Sequence, residues 1–105
     1  MADSPRLEQI RALLQDDPDD PFLMYGLAME YLSINDNGAA VTAFRELLKK
    51  RPDYVPTYLM LGQTLQRMGK EPEAADVLRL GVTAAKQAGN EHALSEIQGL
   101  LAIIE

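Results

Sequence analysis

The sequence has no cysteine, no tryptophan and a single histidine, His92. Without cysteine there is no disulfide framework, no thiolate zinc or iron–sulfur site and no thiol nucleophile, and the chain suits a reducing compartment. Positive charge is also scarce. Ten Lys and Arg stand against 16 Asp and Glu, a net charge of −6, which is not the basic footprint that a nucleic-acid binder presents to phosphates. No apolar run approaches the roughly 18 residues of a membrane span. The amino terminus, Met1-Ala2-Asp3-Ser4-Pro5-Arg6, has an early acid and no apolar stretch, which argues against a secretory signal. The expectation is a cytoplasmic, non-redox chain with no nucleic-acid and no membrane partner.

What is present is helical periodicity. At 105 residues and 47% hydrophobic, the chain has the length of one domain with a modest core. Apolar residues recur at three- and four-residue intervals in six stripes. Leu7, Ile10, Leu13 and Leu14 form the first; Leu23, Leu27, Tyr31 and Ile34 the second; Val41, Phe44, Leu47 and Leu48 the third. Tyr58, Leu61, Leu65 and Met68 follow, then Ala74, Val77, Leu78 and Val82, then Leu94, Ile97, Leu101 and Ile104. No stretch alternates with a period of two, so the fold class is all-α.

The breaks between stripes carry their own signals. Asp20 before Pro21 suits an N-cap followed by proline in the first turn, and Asn35-Asp36-Asn37-Gly38 is a turn cluster able to cap the next helix. Lys49, Lys50 and Arg51 place cations where helix carbonyls end, and Pro52 stops the helix. Gly69 and Gly89 read as left-handed helix ends. Helices are therefore expected over 4–16, 21–34, 37–51, 55–69, 71–88 and 90–104, with short loops that make neighbours antiparallel.

Shifting residues 21–54 by 34 onto 55–88 aligns Leu27 with Leu61, Ala28 with Gly62, Ala40 with Ala74, Phe44 with Leu78 and Asn35 with Gly69. Large apolar residues fall on large ones, small on small, turn formers on turn formers. Met24-x2-Leu27-Ala28-x2-Tyr31, then Ala40-x3-Phe44 and Pro52, resembles the 34-residue tetratricopeptide repeat. Tyr58-x2-Leu61-Gly62-x2-Leu65 with Ala74-x3-Leu78 looks like a second copy. Met24 replaces the usual Trp, Gly81 an Ala, and Lys86 the closing Pro, so the fifth helix should run on. The resemblance implies a right-handed antiparallel helix-hairpin superhelix of about six helices. It divides residues 1–105 into a half-repeat helix at 4–18, repeats at 21–54 and 55–88, and a capping helix at 90–104.

Chemistry has little to work with. His92 lacks a nucleophile or acid partner, the Asp16-to-Asp20 cluster lacks the glycine and distal glutamate of a calcium loop, and the glycines are scattered rather than phosphate-binding. No catalytic role, metal or cofactor is expected. Binding is better supported. The resemblance implies groove positions at Phe22, Tyr25, Gly26, Met29, Leu32 and Ser33, and at Pro56, Leu59, Met60, Gln63, Gln66 and Arg67. Phe22, Tyr25, Met29, Leu59 and Met60 are large and apolar at these positions, with Gln63 and Arg67 beside them. Relatives that grip a terminal carboxylate use Lys, Asn and Arg there, so the expected ligand is an apolar peptide segment or amphipathic helix instead. The alternative is a homodimer. Leu100 and Ile103 fall outside the inward stripe of the last helix and would leave a self-associating edge.

Overall fold

Six helices, and no strand among the described residues, make up the computed structural model, which describes residues 4–105. Met1, Ala2 and Asp3, on which the reading of the amino terminus partly rests, lie outside the described residues. The helices are α1 (Pro5–Asp16), α2 (Pro21–Ser33), α3 (Asn37–Lys50), α4 (Pro56–Arg67), α5 (Glu71–Ala88) and α6 (Glu91–Ile104). Ser4 caps α1 through Leu7 N–H, Asp20 caps α2 through Phe22 and Leu23 N–H, Asp36 caps α3 through Ala39 N–H, and Asn90 caps α6 through Ala93 N–H. Each of these side chains accepts from amides that have no partner within their helix. Prolines open α1, α2, α4 and α5, where a missing N–H costs nothing.

The repeat is visible in the backbone. Asn35 (φ 64°) and Gly69 (φ 78°), 34 positions apart, both take the left-handed conformation after α2 and α4. The next amide then reaches back across the turn in the same way: Asp36 N–H donates to Tyr31 C=O and Lys70 N–H to Leu65 C=O, each at 2.9 Å. Gly89 (φ 67°) ends α5 with the same device. At 18 residues α5 is the longest helix, as the absence of a closing proline near Lys86 predicted.

The chain divides into two units, one reaching to Arg51 and the other running Pro52–Glu105. In the first, α2 packs against α1 and α3, and its core holds Leu7, Met24, Ala28, Ala40, Phe44 and Leu47. In the second, α5 packs against α4 and α6, around Tyr58, Leu61, Leu65, Ala74, Leu78, Ala85 and Ile97. Burial pushes the Tyr58 phenol above its ordinary pKa, with the Asp53 carboxylate adding to the shift, and its hydroxyl donates to Pro52 C=O.

One expectation needs correcting. Leu13 does not join Leu7, Ile10 and Leu14 in the packed stripe: it is 53% exposed, while Leu7 is fully buried. α1 packs mainly against α2, so it buries a narrower face than a helix held firmly on two sides.

Thr57 and Thr64 are both fully buried on α4, with different hydrogen bonding. Thr64 donates to Met60 C=O at 2.7 Å, whereas the Thr57 hydroxyl has no partner among the described residues. Removing an unsatisfied buried hydroxyl while keeping the side chain's shape removes a desolvation cost. Thr57→Val is therefore expected to leave stability unchanged or to raise it by up to about 1 kcal/mol. Urea denaturation checks this, and a loss of stability would mean that the hydroxyl has a bound-water partner.

Candidate functional site

α2 is apolar around its whole circumference. Its thirteen residues, PFLMYGLAMEYLS, include a single charge, Glu30. An all-round apolar helix ordinarily lies fully inside a fold, but α2 has an open face. Met24 and Ala28 are buried; Tyr25, Gly26 and Met29 are half-buried; Phe22 is 73% exposed. The Tyr25 ring meets the buried Phe44 ring at 6.0 Å and 58°, a tilted pair that holds its orientation.

Glu30 looks like a solvent residue in the sequence and is only 7% exposed. Ser4 Oγ donates to its carboxylate at 2.7 Å and Ser33 Oγ at 3.3 Å, and the Arg6 guanidinium lies 3.7 Å away. These contacts tie the start of α1 to the end of α2 and give the one charge of α2 two hydroxyl donors and a nearby cation. Arg11 adds a second tie: its guanidinium donates to the Tyr31 hydroxyl at 2.9 Å and sits 5.9 Å from the ring centre.

Gly26 stands in the middle of α2, where glycine costs about 1 kcal/mol relative to alanine. Internal packing does not demand it: a Cβ built there would meet only Ile10 Cδ1, at an ordinary 3.9 Å. The same register position, 34 residues on, holds Met60.

On α4 the expected residues Leu59, Met60 and Gln63 are half-buried, and Arg67, the last residue of the helix, is exposed. On α6, Ile97 is buried against α5 and Leu94, Leu101 and Ile104 are half-buried. Leu100 is half-buried and Ile103 is 76% exposed. His92 is a surface residue, 3.4 Å from Glu96. The acidic cluster is divided between structural roles: Asp20 caps α2 and Asp19 pairs with Lys50.

The sequence reading passed over an apolar crevice of about 500 Å³ in the first unit, lined by Leu14 and Pro18, by Met24, Leu27 and Tyr31, and by Ala39 and Ala43. Ala39 and Ala43 on α3 were the available signal, because two small residues four apart leave a gap on a helix face.

A tetratricopeptide repeat family model matches residues 25–90. The solution structure of a tetratricopeptide repeat domain protein from Salinibacter ruber is 36% identical, with a TM-score of 0.80 over 84% of this chain and 89% of that one. A protein of Bordetella parapertussis is 27% identical, with a TM-score of 0.83 over 96% of this chain and 88% of the other. The TPR2B domain of yeast Sti1, solved as a pHsp70 complex, matches in fold at 15% identity, with a TM-score of 0.86 over 93% of this chain and 78% of that one. A comparison with curated proteins finds no match.

Proposed function

The chain belongs to the tetratricopeptide repeat family, and on that premise we propose that it is a non-catalytic recognition module whose partner is a peptide or helix. Repeats of this family are protein-interaction modules. The Sti1 domain with the same fold was solved in a complex with pHsp70, which supports a protein partner here as well. We read residues 21–54 and 55–88 as the two repeats, with a half-repeat on either side, and the cytoplasm as the place of work.

The partner contacts are assigned to the family's groove positions on the first helix of each repeat: Phe22, Tyr25 and Met29 on α2, and Leu59, Met60, Gln63 and Arg67 on α4. The observation that carries the reading is the exposure of Phe22 on a helix otherwise apolar on every side. An apolar face suits an apolar segment. A terminal carboxylate brought against Tyr25 and Met29 would lose water against two side chains that carry no positive charge. Met29→Glu and Met60→Glu, made separately, are expected to keep full helicity and to weaken partner binding at least tenfold each, read by isothermal titration with a partner recovered by affinity capture. A loss of helicity in either variant would assign that methionine to the core instead.

A second reading is a homodimer through α6, favoured by the 76% exposure of Ile103. Ile103→Glu and Leu100→Glu would then shift the sedimentation of the protein from dimer to monomer. A monomer before substitution ends that reading.

A further inference from the structure

We propose that the crevice between α1, α2 and α3 is a second recognition site, taking a bulky apolar side chain that a basic partner segment presents between lysines or arginines. It is separate from the groove positions. At 3.6 residues per turn, the crevice residues Met24, Leu27 and Tyr31 leave α2 roughly 160° around from Phe22, Tyr25 and Met29. Met24 is buried, and Leu27 and Tyr31 are half-buried. The counterparts of those two, 34 positions on, are Leu61 and Leu65, each only 1% exposed. Two residues of the repeat's core pattern are thus open to solvent in the first repeat and closed in the second.

The opening has a cause in the sequence. α1 and α3 both pack on α2, and α3 lines the crevice with Ala39 and Ala43. The matching positions of the second repeat hold Glu73 and Val77, so the repeat itself does not demand small side chains there. The space left is about 500 Å³, which falls in the range of concave ligand sites, about 300–1,000 Å³. Apolar walls facing water favour an occupant that buries them.

Charge selects that occupant. The bases around the crevice already face acids: Lys50, which lines it, pairs with Asp19, Lys49 with Glu46, and Arg11, which donates to the Tyr31 hydroxyl, with Glu8. Asp16 and Asp17, both exposed and immediately before the lining residue Pro18, pair with none of these bases. The surplus beside the crevice is therefore negative. Lysine or arginine next to the apolar anchor gains attraction and faster association, whereas an acidic flank is repelled.

The probe is a short end-blocked peptide with a central Phe between two Lys, alongside matched peptides with Gln or Glu in place of Lys, or Ala in place of Phe. Binding to the full chain is read by fluorescence anisotropy, its place by amide chemical shifts, and the fold by thermal melting. The Lys peptide is expected to shift the amides of Leu27, Ala39 and Ala43, and to bind at least tenfold more tightly than the Glu and Ala peptides. Asp16→Asn with Asp17→Asn should weaken it about threefold to tenfold and reduce its salt dependence. Ala43→Leu fills the crevice and should weaken it at least tenfold without lowering the melting temperature. If that variant melts early, the shifts and the paired Asn variant still decide. Shifts confined to Phe22, Tyr25 and Met29 overturn the crevice and leave the groove reading standing. Equal affinity for the Gln peptide overturns the basic flank and the proposal with it, as does failure of the Lys peptide to bind the wild type.

Discussion

Phe44→Ala is expected to lower the stability of the chain by about 3–5 kcal/mol, the cost of removing a fully buried aromatic ring and leaving its cavity behind. Domains of this size are stable by only about 5–15 kcal/mol, so the variant would be largely unfolded in modest denaturant. Phe44 has no exposed surface and comes from α3, the helix that joins α2 to form the hairpin of the first unit. Its loss also removes the tilted ring contact that Phe44 makes with Tyr25 at 6.0 Å. A specific control follows from the repeat. Leu78 occupies the same register position in the second unit and is equally buried, so Phe44→Leu keeps a residue that this architecture already uses there. Phe44→Leu should lose less than half as much as Phe44→Ala. Circular dichroism at 222 nm across a urea titration measures both, and equal losses would show that ring shape, not buried volume, holds the hairpin.

That Phe44 is core could be read from the sequence alone, through its spacing from Ala40 and Leu47 and its match to Leu78. Periodicity reports which face of a helix is apolar, and α3, α4 and α5 are polar enough on their other faces for the inner one to stand out. α2 defeats the same reasoning. Apolar on every side, it gives no period by which the buried Met24 and Ala28 could be told from the exposed Phe22; only the register of the repeat resemblance, Met24-x2-Leu27-Ala28, separates them. Glu30 fails in the opposite direction. A glutamate on a helix is ordinarily solvated, and nothing in the spacing shows that Ser4, 26 residues away, would donate to it. The spacing of Leu13 fits the inward stripe, but a helix packed mainly on one side has too narrow a contact to cover it. Periodicity is local; which side of a helix finds a neighbour is a property of the tertiary arrangement.

The glycines carry the second large effect, and here the nearest distance is a poor guide to the ranking. Gly81→Ala is expected to destabilise by about 2–3 kcal/mol, within the range for overpacking a filled interior, and Gly62→Ala by about 1 kcal/mol or less once helix propensity is credited. A Cβ on Gly62 would come within 2.5 Å of Leu78 Cδ2, a closer approach than the 2.6 Å between a Cβ on Gly81 and Tyr58 Cβ. The colliding atoms differ in freedom. Leu78 Cδ2 turns about two bonds and Leu78 Cγ, at 2.8 Å from the same built Cβ, about one, and Ala28 already occupies the matching position of the first repeat beside a larger Phe44. Tyr58 Cβ is fixed by its own backbone, so no rotamer moves it. Ile97 Cδ1, 3.2 Å away from the same built Cβ, narrows the space further. The tyrosine cannot swing aside, being buried and held by the hydrogen bond from its hydroxyl to Pro52 C=O. Relief at position 81 therefore requires α4 and α5 to separate, which loosens the contacts that bury Leu61, Leu65 and Leu78. Paired denaturant titrations of the two variants decide the matter. If Gly62→Ala proved the more damaging, Leu78 would be locked in its rotamer and the second unit more rigid than its side-chain chemistry requires.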